Sequence, residues 1–334
     1  MNNNIFYGAN AILLPYKKHS KYTGSTDKNT ICKVAAYNKG EMLLLPKLME
    51  DKDSKKYLIE ILSVVSYDTR MSRDIPKKTL DFIDYLVSIQ DKEKPKVFTS
   101  KYNFSYLIFK NGGSDLYEIK NDISIGRKNH FTKDTEYKTQ QMCRDLIDGL
   151  EFIHKKSICH FDIKPENIVF DTETERFKYI DFGMAEEFPF KRYLRNGPRG
   201  TLEYIPFSTT NFSLLSHFSA LLPYIPCDDW SKGPDGKWVH IHYRNDPSRN
   251  TSHISSSLYK VDVYALGRTL KSVLDVICIY KDCIIDDSRF FNQMLEPKVF
   301  KRINLLEHKI SIPYKIFNLL EEDYYNECSC CALS

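Results

Sequence analysis

Short apolar, β-prone runs alternate with polar segments in the first part of the chain. Residues 5–14 and 30–37 are predicted strands, joined by a polar, lysine-rich loop over residues 17–29. The apolar spacing indicates one helix over residues 40–50 and another over residues 76–90. The chain therefore begins with a strand hairpin that is followed by mixed helix and strand.

Two further apolar runs belong to the same region. Residues 57–67 fit a helix end that runs into a strand, and periodicity does not separate the two states. Residues 104–109 have the composition of a buried strand, and the Asn-Gly-Gly sequence at 111–113 then breaks the chain. These patterns predict a small, β-rich amino-terminal region.

The rest of the chain is predicted to be mainly helical. Short strands are expected near 168–170 and 177–180, and helical patterns dominate after about residue 260. A long helix is expected over residues 133–155, because its apolar residues recur on one stripe, namely Met142, Leu146, Leu150 and Ile153. The whole pattern predicts an α+β protein.

Composition narrows the class of protein. The chain has 334 residues, 42% of them hydrophobic, which is enough for one large bilobal domain or two modest ones. The net charge is only +4 and lysines are mixed with acids, so we expect no nucleic-acid partner. Residues 1–4 lack a basic signal region, and no 18-residue apolar stretch exists. We therefore expect an intracellular, cytoplasmic protein with reduced cysteines.

One short segment groups the residue types that phosphoryl transfer requires. That reaction needs a carboxylate to orient the attacking hydroxyl, cations to hold the phosphates and oxygen ligands for magnesium. Asp162, Lys164 and Asn167 lie close together after the long helix, and Asp181 follows two short strands later. This spacing places them on neighbouring loop ends that face one cleft. The oxygens of Asn167 and Asp181 suit Mg²⁺.

The motifs around these residues resemble those of eukaryotic-type protein kinases. The sequence His-Phe-Asp-Ile-Lys-Pro-Glu-Asn at 160–167 resembles the family's catalytic loop, in which His160 is expected to brace the backbone through hydrogen bonds. The Asp-Phe-Gly triplet at 181–183 matches its magnesium-binding motif, and residues 200–206 resemble the end of its activation segment. Residues 262–267 resemble the helix that anchors the catalytic loop. The resemblance implies a bilobal protein-kinase-like fold, with a small β-rich lobe and a larger, mainly helical lobe.

The resemblance assigns a role to each matching residue. Asp162 would be the catalytic base, and Lys164 would neutralise the transferring phosphate. Thr201 would form hydrogen bonds with Asp162 and Lys164 and help to position the substrate hydroxyl. Asn167 and Asp181 would hold magnesium. Lysine followed by proline, together with Thr201, is the serine/threonine pattern. The implied cofactors are ATP and Mg²⁺, and the implied partners are proteins that carry serine or threonine.

The motifs that would identify the nucleotide-binding residues are weaker. Lys33 lies on a predicted strand and would be the ATP-binding lysine, although a surface lysine on an edge strand is the alternative. Its glutamate partner is expected to be Glu41, which has the better local match, and Glu50, which has the commoner spacing, is the alternative. Gly8 supplies the single glycine of a phosphate loop in which the family has three. The segment at 109–113 resembles the hinge between the lobes.

Three departures from the family are expected to affect control. Phe161 stands where many kinases have an arginine that binds a phosphorylated activation loop, so we expect a constitutively ordered activation segment. Phe207 stands where the family has a glutamate, and an insertion is expected over about 208–257.

The predicted boundaries are a kinase domain over 1–320, with lobes of about 1–110 and 114–320, and a tail over 321–334.

The chain ends in a cysteine-rich tail. Its last four residues, Cys-Ala-Leu-Ser beginning at Cys331, fit a prenylation signal that would attach the protein to a membrane. A chance cysteine-rich tail, or a redox or metal-binding end, is the alternative.

Two other functions remain open on the sequence. The single glycine at Gly8 and the missing glutamate at Phe207 are compatible with a pseudokinase scaffold. A small-molecule kinase of the same fold is a further alternative, although such enzymes usually lack the motifs at 160–167 and 181–183.

Overall fold

The chain divides into two compact units. In the computed structural model, the first unit comprises Met1–Gly113 and Asp181–Gly183, and the second comprises Ser114–Ile180 and Met184–Ser334. The first unit is built on a β-sheet and the second is mainly helical, so the predicted α+β class is confirmed. The structure describes residues 5–7, 11–35, 39–68, 77–88, 103–127, 134–188, 200–204, 230–232, 238–240, 252–281, 283–285, 288–296, 303–306, 310, 312 and 317–319.

A five-stranded antiparallel sheet forms the first unit, in the order β1-β2-β3-β5-β4. Its strands are β1 (Phe6–Tyr7), β2 (Ala11–Pro15), β3 (Thr30–Ala35), β4 (Ile61–Asp68) and β5 (Asn103–Lys110). Alternate residues of β2 are buried, because successive side chains of a strand point to opposite faces. The sheet covers a core composed of Ile12, Leu14, Cys32, Val34, Phe82, Leu86, Tyr106 and Ile108.

Four helices lie in the described part of this unit, and the first corrects a prediction. They are α1 (Tyr16–Thr23), α2 (Lys39–Met49), α3 (Ser54–Tyr57) and α4 (Lys77–Ser88). Helix α1 occupies most of the segment at 17–29 that was expected to be a loop. Gly24 ends the helix in a left-handed conformation, with φ 73°, and its N–H bonds the carbonyl of Ser20 at 2.8 Å.

Tertiary contacts stabilise α1, which explains why the segment carries little helical signal of its own. His19 is fully buried, and its ring nitrogens lie 3.1 Å from Thr23 Oγ1 and 3.4 Å from Thr30 Oγ1. The ring of Tyr22 stacks on that of Phe82 with 4.8 Å between centroids. One histidine and one tyrosine therefore dock a helix whose other side chains are mostly lysines and hydroxyls.

The second unit is organised around two long helices. Among its described residues, the helices are α5 (Leu116–Ser124), α6 (Thr135–Lys155), α7 (Ser252–Lys281) and α8 (Ser288–Leu295). Asp115 caps α5 and Asp134 caps α6, each by accepting a backbone N–H from the first turn. The predicted stripe on α6 is confirmed, because Met142, Leu146, Leu150 and Ile153 are all fully buried.

Short strand pairs complete the second unit. Strand β6 (Ile158–Cys159) pairs with β9 (Glu186–Glu187), and β7 (Ile168–Asp171) pairs with β8 (Arg176–Tyr179). The other pairs are β10 (Trp230–Lys232) with β11 (Trp238–His240), and β12 (Cys283–Ile285) with β13 (Phe317–Leu319). Helix α7 begins at Ser252, so the last residues of the segment at 208–257 are helical.

Several sequence predictions concern residues outside the described ranges. These are Gly8, Phe207, Cys331 and most of the segment at 208–251. Among the described residues, no helix has both the length and the apolar character needed to span a membrane.

Candidate active site

The loop that carries Asp162 is held in place by a buried carboxylate on α7. Asp262 accepts the backbone N–H of His160 at 2.7 Å and that of Phe161 at 2.8 Å. Its Oδ2 also lies 3.1 Å from Nε2 of His154 on α6. One side chain thus fixes two consecutive peptides of the loop and the end of the preceding helix.

His160 braces the same loop from within. Its Nδ1 accepts the N–H of Asp162 at 3.3 Å, so its Nε2 carries the proton and donates to the carbonyl of Ile180 at 3.0 Å. Ile180 directly precedes the triplet at 181–183. The histidine therefore links the loop to the strand end before that triplet, in the bracing role expected of it.

Asp162 lies at the centre of a hydrogen-bonded group. Thr201 donates its N–H at 3.0 Å and its hydroxyl at 2.9 Å to Asp162 Oδ1. Asn167 donates its amide to Asp162 Oδ2 at 3.0 Å and to the Asp162 carbonyl at 2.7 Å. Nζ of Lys164 lies 3.3 Å from Asp162 Oδ2 and 2.9 Å from Thr201 Oγ1. The structure thus brings together four of the predicted site residues.

This arrangement provides a proton acceptor beside a cation. The side chain of Asp162 is 13% exposed and that of Lys164 is 22% exposed, so both can be reached from solvent. The hydroxyl of Thr201 donates to the carboxylate and accepts from the ammonium, which fixes the distance between the two charges. Such a group can orient a hydroxyl and accept its proton.

The first unit contains a second charged group, centred on Lys33. Its Nζ lies 2.8 Å from Glu41 Oε1 and 2.7 Å from Asp181 Oδ1. Burial alone would lower the pKa of the Lys33 ammonium, but the carboxylates of Glu41 and Asp181 raise it above its usual value. Lys33 lies on β3, and the structure pairs it with Glu41, whereas the alternative Glu50 is exposed beyond the end of α2.

The oxygen ligands proposed for magnesium can be tested against these contacts. Both side-chain hydrogen bonds of Asn167 use Nδ2, which leaves its Oδ1 directed elsewhere as a neutral oxygen ligand. The side chain of Asp181 is 42% exposed even though it bonds Lys33. An amide oxygen and an accessible carboxylate are each the type of ligand that a hard cation such as Mg²⁺ takes.

A different cluster has metal-binding residue types but does not fit a metal. His154, Cys159 and Asp262 are buried together, with ligand atoms within 4.8 Å of one another. Asp262 already accepts two backbone N–H groups, and burial together with its charge raises the pKa of the Cys159 thiol well above the usual value. We therefore assign this cluster to the support of the loop.

Two contributions to the site were not identified from the sequence. His154 carries no motif signal, because its link to Asp262 joins residues that are far apart in the chain. Gly200 was noted only as part of a motif, although it packs directly on the backbone of Phe161.

Cys32 and Cys159 are close in sequence to the predicted site residues. Both are fully buried core residues.

Comparison with known proteins agrees with this geometry. The family model of the protein kinase domain matches residues 96–207, which include the loop at 160–167 and Thr201 but not Lys33. The chain is similar to myosin light chain kinase 3 of Rattus norvegicus, with 28% identity over 163 residues, 48% of this chain and 19% of that protein.

Other curated relatives give the same result. Myosin light chain kinase 3 of Mus musculus is 30% identical over 138 residues, which cover 41% of this chain and 15% of that protein. Calcium-dependent protein kinase 4 of Plasmodium falciparum (isolate 3D7) is 26% identical over 165 residues, 47% of this chain and 29% of that protein. The chain thus matches less than a third of the length of these relatives. Together with the loop motifs and the contacts of Asp162, these similarities support a eukaryotic-type serine/threonine protein kinase family.

Proposed function

We propose that this chain is an active protein kinase that transfers the γ-phosphoryl group of ATP to serine or threonine hydroxyls of other proteins. The observation that carries the proposal is the hydrogen-bonded group around Asp162, in which Thr201, Lys164 and Asn167 all contact the same carboxylate. A scaffold that had lost catalysis would have no need to keep a proton acceptor, a cation and an amide in this arrangement.

Each residue has a defined part in the transfer. The acceptor hydroxyl gives its proton to the Asp162 carboxylate as its oxygen bonds the γ-phosphorus, and the bond to the ADP oxygen breaks. Lys164 stays beside Asp162 and offsets negative charge on the phosphoryl oxygens. Asn167 and Asp181 would hold Mg²⁺, which supplies charge neutralisation of the phosphates when bound. Lys33, held by Glu41, would contact the nucleotide phosphates.

The direct test is phosphoryl transfer by the purified chain. With magnesium and radiolabelled ATP, we expect label to enter a generic protein substrate, and acid hydrolysis to yield phosphoserine and phosphothreonine. Label in phosphotyrosine alone would contradict the proposed acceptor. Nucleotide binding without any transfer would favour a scaffold, for which the single glycine of the phosphate loop is the supporting feature.

We further propose that activity does not require phosphorylation of the activation segment. Phe161 replaces the arginine that would bind such a phosphate, and its side chain is 3% exposed. Apart from Thr201 and Tyr204, residues 184–205 contain a single hydroxyl side chain, that of Tyr193. Both observations leave little for a phosphorylation switch to act on.

The Tyr193→Phe variant tests this second proposal. We expect its kcat to stay within about twofold of wild type, because under the proposal no phosphate at residue 193 is needed for activity. Tyr137→Phe, on the exposed side of α6, is the matched control. A loss of tenfold or more in Tyr193→Phe alone, reproduced by phosphatase treatment of wild type, would contradict the proposal.

A further inference from the structure

The backbone of Gly200 packs closely against the loop that carries Asp162. A Cβ atom at this position would overlap the carbonyl oxygen of Phe161, and would lie 3.4 Å from its carbonyl carbon and 3.6 Å from Asp162 Oδ1. Its φ of +107° is also a conformation that residues with a side chain rarely adopt. The position therefore accepts only glycine as long as Phe161 stays in place.

Phe161 is poorly able to move away. Its N–H and that of His160 are bonded to the buried carboxylate of Asp262 at 2.8 Å and 2.7 Å. Its side chain is buried, and its own φ of 61° is already strained for a non-glycine residue. A clash at Gly200 would therefore displace the segment that contains Gly200.

Thr201 is the next residue on that segment. Its N–H and hydroxyl both donate to Asp162 Oδ1, and its hydroxyl accepts from Lys164. A shift of the Gly200 backbone would lengthen all three bonds together. The distances among the Asp162 carboxylate, the Lys164 ammonium and the Thr201 hydroxyl would then change.

We propose that Gly200 is a positioning residue, which sets the separation between Thr201 and Asp162 through its contact with the Phe161 carbonyl. The inference rests on the proposed kinase activity and adds a residue that acts through others rather than on substrate. Misplacement of reacting groups by about 1 Å can cost about 10²-fold in rate. ATP binding would be spared, because Lys33 is held by Glu41 in the other unit.

The first experiment compares Gly200→Ala with Gly126→Ala. Gly126 follows α5, has φ +70° and has no atom within 4 Å of an added Cβ, so it controls for backbone strain without the clash. We expect Gly200→Ala to lower kcat by about 10²-fold with an unchanged KM for ATP, and Gly126→Ala to change kcat by less than about twofold. Equal kcat values for the two variants would overturn the proposal.

A double-mutant cycle separates positioning from a general structural effect. Thr201→Ala removes the hydroxyl through which Gly200 would act, so the Gly200→Ala/Thr201→Ala double variant should lose less than the product of the single losses. We expect a discrepancy of about tenfold. Multiplicative losses would indicate that Gly200 acts only through overall stability, and would overturn the inference.

Hydrogen exchange provides a readout that does not depend on activity. In wild type the Thr201 N–H is bonded to Asp162, so a peptide that spans 200–204 should show a protected amide. Gly200→Ala should lose that protection, while the peptide of β6 keeps its own. Retained protection at Thr201 would overturn the inference even if the wild-type chain transferred no phosphate, which would itself contradict only the proposed function.

Discussion

Replacing Asp162 with asparagine is expected to lower kcat for phosphoryl transfer by about 10³-fold, the typical contribution of a general base. The amide is nearly isosteric but cannot accept the proton of the substrate hydroxyl. It also has one oxygen where the carboxylate has two, so it cannot serve Thr201 on one side and Asn167 and Lys164 on the other. The measurement is steady-state kinetics with ATP and a protein substrate.

Asp148→Asn is the matched control for this variant. Asp148 is exposed on α6, in the same unit as the loop, so its substitution should leave kcat within about twofold of wild type. The KM for ATP should be little changed in Asp162→Asn, because Lys33 and Glu41 are untouched. If Asp162→Asn kept wild-type activity, the transfer would not use this carboxylate, and a contaminating kinase would have to be excluded.

Replacing Asp262 with asparagine is expected to destabilise the protein by about 3 kcal/mol or more. The buried carboxylate serves the N–H groups of His160 and Phe161 and lies against His154 Nε2. An amide has a single acceptor oxygen, and its NH₂ group would face one of these donors. A buried donor without a partner costs about 1–3 kcal/mol, and the strained loop would lose its anchor.

Asp275→Asn on the same helix is the control. Asp275 bonds Lys271 at 2.7 Å in a half-exposed i,i+4 pair, whose loss should cost about 0.5 kcal/mol or less. Urea denaturation followed by tryptophan fluorescence and circular dichroism would measure both variants. Similar free energies of unfolding for the two variants would show that the buried carboxylate of Asp262 contributes less to stability than predicted.

The sequence was most informative where the chemistry is local. Asp162, Lys164 and Asn167 lie on one loop, so their spacing alone indicated that they would meet, and in the structure they do. The apolar stripe on α6 was also predicted correctly, because a helix buries residues at regular intervals along one face. Local spacing therefore predicted both the centre of the site and the helix that precedes it.

Where partners lie on different secondary-structure elements, the sequence left alternatives open or missed the contact. Spacing favoured Glu50 and the local sequence favoured Glu41 as the partner of Lys33, because the answer depends on where α2 lies relative to β3. Helix α1 was missed because its side chains are mostly polar, and its stability comes from the docking of His19 and Tyr22 on other elements.

By itself, the sequence determined the fold class, the family resemblance and the identity of the residues around Asp162, because these depend on residue type and short-range spacing. The tertiary structure decided which atoms hold that loop. The carboxylate of Asp262 and the missing side chain of Gly200 act on the backbone of Phe161, across long stretches of chain. Such contacts depend on how elements pack in space, and hydrophobic periodicity reports only which face of each element is buried.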